Sequence, residues 1–240
     1  MLSTQTEKVS VVIPTYNESD NIEKLIPEII SIFKENGIKG EIIVVDDNSS
    51  DGTGIIAEKL AKKFENVGVL HRTGKLGIGS ACADGIKKSR GDVVITIDAD
   101  FSHPPKAIPL LLNEIKKGNE IVIGSRYVQG GEIRGWGFYR KITSRGANFL
   151  ARLFLGLKIR DMTTYFRAYT KQALNKIDME KIMFNGYFFS IEIIYKAEKK
   201  GIKIKEIPVL FIDRKSGKSK LGIKDKLEFL SSLLKLRFNL

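Results

Sequence analysis

Cysteine occurs once in this chain, at Cys82, so no internal disulfide framework can hold it together. Long apolar runs are missing as well. No stretch approaches the roughly 18 apolar residues of a spanning helix. The opening segment, Met1 to Lys8, is polar and lacks the apolar centre of a signal peptide. The expectation is a protein of the cytosolic side that does not cross a bilayer by itself. Internal repeats and low-complexity tracts are also absent. What remains is an ordinary globular composition of 240 residues, 42% hydrophobic and 28% charged, enough for one large domain with a substantial core.

Acidic residues are scarce in the second half. Residues 1–120 carry 15 Lys+Arg against 18 Asp+Glu, whereas residues 121–240 carry 25 against 10, and residues 121–160 alone carry 8 against 1. Such a field favours anionic partners: lipid surfaces, nucleic acid or phosphorylated substrates. A solvated cationic surface is the plain alternative.

Over residues 1–125, short β-branched runs alternate with amphipathic stretches, the pattern of an α/β unit with a mostly parallel sheet. The spacing predicts strands at Val9–Ile13, Glu41–Val45, Val67–Leu70, Val93–Ile97 and Glu120–Ile123. Helices are expected from an Asp20/Glu23 capping box to about Asn36 (with Pro27 as a kink point), over Thr53–Phe64 and Gly77–Ser89, and from Pro104-Pro105 to Lys117. Beyond Gly124 the texture changes. Gly130, Gly131, Gly135 and Gly137 make residues 128–138 a flexible loop around Trp136. A basic, apolar helix follows at Tyr139–Leu157, its composition suited to a membrane interface or to packing on the core. A further helix is read at Tyr187–Lys199, a strand or strand pair broken by Pro208 at Ile202–Ile212, a basic loop at Asp213–Leu221, and a last amphipathic helix at Ile223–Leu240.

Polar clusters fall where the predicted strands end: Pro14-Thr15-Tyr16-Asn17-Glu18, Asp46-Asp47-Asn48-Ser49, Arg72 to Lys75, and Asp98-Ala99-Asp100. Ligands of open parallel sheets dock along that edge. Turn chemistry explains any one cluster, but four on one edge point to a site. In an extended strand Asp98 and Asp100 would share a face roughly 7 Å apart. Two like charges so placed call for a cation, and Mg²⁺ or Mn²⁺ shared with a diphosphate fits. His103 reads as a loop residue ahead of two prolines, and His71 as structural.

The strings Val12-Ile13-Pro14-Thr15-Tyr16-Asn17-Glu18, Val45 to Thr53, Asp98-Ala99-Asp100-Phe101-Ser102-His103-Pro104-Pro105, Gly124-Ser125-Arg126-Tyr127, and Asp213-Arg214 through Ser219-Lys220-Leu221 resemble the inverting family 2 glycosyltransferases, and within them the soluble subtype of the dolichyl-phosphate mannose synthase group. The resemblance implies a nucleotide-sugar transferase fold of the GT-A type, with a Rossmann-like, mostly parallel sheet and helices on both faces. It implies one catalytic domain over 1–240, with residues 1–125 binding the nucleotide sugar and 126–240 facing acceptor and membrane. By position it assigns Pro14, Tyr16, Glu18, Val45 and Asp47 to the nucleoside pocket, Asp98, Ala99 and Asp100 to the diphosphate and metal, Ser102 to a further metal ligand, and Arg126, Arg214 and Lys220 to phosphates. Lys75, beside Gly77-Ile78-Gly79, is a lesser candidate. Mannose transfer from GDP-mannose to dolichyl (polyprenyl) phosphate with inversion is the implied reaction. A glucosyl or other hexosyl transferase using a UDP-sugar is the alternative.

The implied partners are the nucleotide sugar, the lipid phosphate, an anionic membrane surface met from the cytoplasmic side and a small membrane protein. A nucleic-acid binder is disfavoured, because aromatics do not interleave with the basic clusters and the acidic pair repels phosphate. A non-catalytic subunit would not need both acids. The chain departs from the family at Thr164 and Tyr165, where Ser or Gly is usual, which suggests a narrowed or reshaped acceptor region.

Overall fold

A computed structural model describes residues 7–184, 186–213 and 223–238. Its elements in chain order are β1 (Val9–Thr15), α1 (Ser19–Glu35), β2 (Gly40–Asp46), α2 (Thr53–Lys63), β3 (Val67–His71), α3 (Ile78–Lys88), β4 (Val93–Thr96), α4 (Ile108–Lys116) and β5 (Ile121–Ser125). There follow β6 (Glu132–Arg134), α5 (Phe138–Leu155), β7 (Arg167–Thr170), α6 (Lys171–Ile177), α7 (Tyr187–Lys199), β8 (Ile204–Pro208), β9 (Leu210–Ile212) and α8 (Ile223–Phe238).

Seven strands form one sheet in the order β3-β2-β1-β4-β7-β5-β8. The first four run parallel, β7 is antiparallel to both β4 and β5, and β8 is parallel to β5. Successive side chains of a strand face opposite ways, and here both faces are covered. On one side Val11, Ile13, Val44 and Ile95 pack with residues of α1, α2 and α4; on the other Val12, Val45, Val94 and Ile123 pack with residues of α3, α5, α7 and α8. That double burial explains why these strands read as continuous apolar runs. Helix α3 lies so close to the sheet that a Cβ on Gly85 would come 2.3 Å from Val12 Cγ1, so only glycine fits there.

Several expectations need correction. Strand β4 stops at Thr96, and Asp98 and Asp100 sit in the turn beyond it, so strand alternation does not set their geometry. Helix α1 starts at Ser19 rather than from an Asp20/Glu23 box. Its first turn is tied by the next loop instead: the Glu18 N–H donates to Thr53 Oγ1 (2.8 Å) and the Ser19 N–H to Asp51 Oδ2 (3.1 Å). A 3-10 turn that includes Pro105 (Pro105–Ala107) leads directly into α4. The segment 128–138 is not a free loop, because β6 pairs in parallel with β9 and Trp136 is buried. Strand β7 and helix α6 went unread. Arg167, charged and fully buried in β7, hid the strand; its guanidinium donates to the carbonyls of Met162 and Ser190, both at 2.7 Å. Arg214 and Lys220, with most of the 213–221 loop, lie outside the described residues.

Candidate active site

The loops after β1, β2, β3 and β4 open on one edge of the sheet. Of the described non-glycine residues with positive φ, Asn17 (57°), Asn48 (61°) and Phe101 (58°) all lie in these loops. Backbone strain of this kind persists where a surrounding site holds it.

The β2 loop is organised by its two acids, both buried. Asp46 accepts from Thr15 Oγ1 (3.3 Å) and from the Ser49 N–H (3.3 Å). Asp47 accepts from Arg72 Nη1 (2.6 Å), the Leu76 N–H (3.0 Å) and the Gly77 N–H (2.8 Å). Gly77, at φ 97°, supplies the left-handed turn that aims these amides. A carboxylate offers about four lone-pair directions, so Asp47 keeps one for a base or ribose after holding the 72–77 loop. Arg72 in turn donates to Ser80 Oγ (2.8 Å) and pairs with Asp84 (3.0 Å). Tyr16 stands exposed at the mouth with the Lys75 ammonium 3.8 Å from its ring centroid, a face on which a base can stack once the lysine moves. Glu18 accepts from Asn21 Nδ2 at 2.6 Å. Pro14 and Val45, by contrast, are buried in the sheet, and Val45, with no exposed surface, belongs to the core on the α3 side.

In the β4 loop, Asp98 and Asp100 are both partly accessible. Asp100 Oδ1 accepts from the Ser102 N–H at 3.0 Å. The Ser102 hydroxyl is buried with no hydrogen-bond partner among the described residues. Two carboxylates and an unsatisfied hydroxyl are hard oxygen donors, which suits Mg²⁺ or Mn²⁺. Among the described residues no group of three or more His, Cys, Asp or Glu could hold a metal ion. Asp98, Asp100 and Ser102 by themselves would leave most positions of such an ion to other oxygen donors. Ala99 is buried and packs into the core beneath the couplet.

His103 is the residue that sequence reasoning undervalued. It is 1% exposed, stacked on Phe166 (centroids 5.3 Å, 20° between planes) and edge-on to Phe211 (5.2 Å, 79°). Its Nε2 meets Thr164 Oγ1 at 3.1 Å, and its Nδ1 lies 3.3 Å from Asp98 Oδ2 without hydrogen-bond alignment. Phe166 and Phe211 are distant in sequence, so no local pattern announced this cover. Burial, reinforced by the Arg126 charge, pushes its pKa down to about 3. The imidazole is therefore neutral at every working pH. In the unfolded chain it titrates near 6.5, so below that pH the unfolded state binds the extra proton. Stability should fall as pH drops from about 6.5 toward 3, by a few kcal/mol in all. Denaturant melts of wild type and His103→Asn at pH 7 and pH 4.5 check this: the variant should show the shallower loss, and parallel losses would refute the assignment.

Arg126 is nearly enclosed. Its backbone N–H and its Nε donate to Asp161 Oδ2 (3.0 and 2.7 Å), and its Nη2 donates to Asp161 Oδ1 (2.7 Å) and Thr163 Oγ1 (2.8 Å). The guanidinium also lies over Tyr127, Trp136 and Phe211 at 5.3–5.5 Å. Burial opposes charge on both partners, yet each stabilises the other: the Arg126 pKa is raised and that of Asp161 lowered. The fork expected for a phosphate is thus spent on Asp161, and Nη1 is the donor still open among the described residues. Nearby, Arg140 lies 4.1 Å from the Trp136 ring centroid and pairs with Asp213 at 2.8 Å. Thr164 is taken by His103. Tyr165 is a core residue stacked with Phe189, its hydroxyl donating to the Gly186 carbonyl.

A doubly covered, mostly parallel sheet with acids gathered in the loops at its strand ends has the arrangement of a GT-A glycosyltransferase. The model of Glycosyl transferase family 2 matches residues 10–178, and the chain belongs to that family. It is 41% identical over 232 residues to a dolichol-phosphate mannosyltransferase from Pyrococcus furiosus, covering 95% of this chain and 63% of the relative. It is 39% identical over 221 residues to a polyprenol monophosphomannose synthase from Mycolicibacterium smegmatis, covering 90% of this chain and 82% of that one. In fold it is similar to a crystal structure of glucosyl-3-phosphoglycerate synthase from Mycobacterium tuberculosis in complex with Mn²⁺, UDP and glucosyl-3-phosphoglycerate, with TM-score 0.67, 24% identity, and coverage of 96% of this chain and 80% of that one. The same enzyme with Mg²⁺ and UDP matches at TM-score 0.67 and 22% identity, over 96% and 79% of the two chains.

Proposed function

We propose that this chain transfers mannose from GDP-mannose to a dolichyl or other polyprenyl phosphate with inversion, giving a β-linked lipid-phosphate sugar. The observation that carries the reading is the placement of the Asp98/Asp100 couplet on the same edge as the Tyr16/Asp47 pocket, in a chain similar along most of its length to two polyprenyl-phosphate mannosyltransferases. Residues 1–125 would hold the donor, while 126–240 would meet the acceptor and an anionic membrane from its cytoplasmic side. A small membrane protein could seat the chain there.

Tyr16 would stack the base, with Asp47 and Glu18 accepting from base and ribose. Asp98, Asp100 and Ser102 would hold Mg²⁺ or Mn²⁺. Bound there, the ion would supply charge neutralisation for a departing nucleoside diphosphate. Arg126 Nη1, with Arg214 and Lys220, would donate to phosphate oxygens as negative charge moves onto the leaving group. The lipid phosphate is already anionic near neutral pH and attacks the anomeric carbon from the face opposite the nucleotide. No proton has to be removed from it, so no general base is required, which agrees with His103 being buried and neutral.

Incubating the purified chain with polyprenyl phosphate, Mg²⁺ and a panel of labelled nucleotide sugars tests this directly. GDP-mannose should give the dominant lipid product. Exclusive labelling from a UDP-hexose would overturn the donor assignment, and no lipid product from any donor would overturn the reaction.

A further inference from the structure

Between the β5–β6 loop and α5 lies an open cavity of about 400 Å³ in which only Arg126 carries a role in the reaction proposed above. Arg126 is one of its lining residues. Arg145, Arg152 and Arg160 line it as well, together with Asn148 and Phe149.

These three arginines have no carboxylate partner among the described residues. The acids in this corner are already committed: Asp161 binds Arg126, and Glu206 accepts the backbone N–H groups of Arg160 (2.8 Å) and Asp161 (2.9 Å). Asn148 is equally occupied, its amide donating to the Ser144 carbonyl (2.9 Å) and Thr163 Oγ1 (3.2 Å) while its carbonyl accepts from the Met162 N–H (2.8 Å). The Arg152 Nε is buried with no hydrogen-bond partner among the described residues. One buried donor without an acceptor, and three cations without a carboxylate lining one cleft, call for an anion.

The neighbouring surface says what that anion is attached to. At 100° per residue, Arg145 and Arg152 run along one border of a stripe formed by Phe138, Ile142, Phe149 and Leu153. All four apolar side chains are more than half exposed, from 52% at Ile142 to 81% at Phe138. Exposed aromatic and aliphatic bulk beside unpaired arginines is the composition of a surface that lies in the headgroup layer of a bilayer. A free phosphate would use the arginines and leave the stripe in water.

We infer that this cleft is a headgroup site for an anionic glycerophospholipid, the phosphate held by Arg145, Arg152 and Arg160 and the acyl region covering the apolar stripe of α5. The inference rests on the membrane-facing part of the function proposed above. It adds a lipid that is bound without reacting, separate from the acceptor.

The test is flotation of the purified chain with vesicles of phosphatidylcholine alone or with phosphatidylglycerol added. Binding should need phosphatidylglycerol, and R145Q/R152Q/R160Q should lower it on the order of 100-fold, the factor for three basic groups at an anionic surface. The pair R145Q/R160Q, both exposed positions, should lower it about 20-fold and guards against misfolding of the triple variant. K59Q/K62Q/K63Q removes the same charge from the exposed side of α2 and should change binding less than about threefold. An equal loss in this control, or equal binding of wild type to both vesicle types, overturns the site. Transfer to a short-chain, water-soluble polyprenyl phosphate should be unchanged in the arginine variants. Loss of that activity in the wild type would instead defeat the proposed reaction and leave the flotation result standing.

Discussion

Asp100→Asn will lower turnover by at least about 100-fold, the scale for removing one electrostatic stabiliser from a transition state. Asparagine keeps an oxygen in the position that accepts from the Ser102 N–H, so the loop after β4 should hold its shape. What disappears is one of the two negative charges to which the proposed divalent ion would bind. The thermal midpoint should shift by no more than a couple of degrees, because Asp100 is partly accessible and makes no ion pair among the described residues. Titrating Mg²⁺ or Mn²⁺ against rate separates this from a generic defect: the variant should need far more metal, or fail to saturate. Undiminished turnover of Asp100→Asn in excess chelator would dispose of the metal assignment and of the reaction built on it.

The largest stability effect should come from Asp161→Ala. Asp161 is fully buried and meets Arg126 through two carboxylate oxygens, so its removal strands a buried cation. Breaking a buried pair in this way costs about 3–5 kcal/mol. In a chain of this size that corresponds to a fall of roughly 10 °C in the melting midpoint. The double variant R126M/D161L replaces both charges with apolar groups and should recover most of the loss. It should remain inactive all the same, because the open Nη1 donor has gone with the pair. Recovery of stability together with activity would mean that Arg126 only props up the fold.

Much of the first half is legible in the sequence because its signals are local. Val9–Ile13, Glu41–Val45 and Val93–Ile97 are apolar runs that a doubly covered parallel strand requires, and the structure extends or trims each by one or two residues. The polar clusters after them lie where parallel topology puts ligand loops. The failures have the opposite character, since they depend on contacts between distant segments. A central strand carrying Arg167 is legible only once the carbonyls of Met162 and Ser190 are known to receive it. His103 does lie in the loop after β4, but its burial is not legible locally because its aromatic cover arrives from Phe166 and Phe211. Asp161 became significant when it was seen to occupy the fork of Arg126, and glycine spacing around Trp136 concealed a strand whose partner, β9, lies near residue 211.

Strand β7 enters the sheet between β4 and β5, running against both. During synthesis the ribosome must therefore deliver residue 170 before the middle of the sheet can close, and until then β4 and β5 each present an open row of backbone donors and acceptors. Such rows recruit other strands. A fragment cut near residue 125 would keep both rows exposed, so the part before residue 125 is not a separable folding unit.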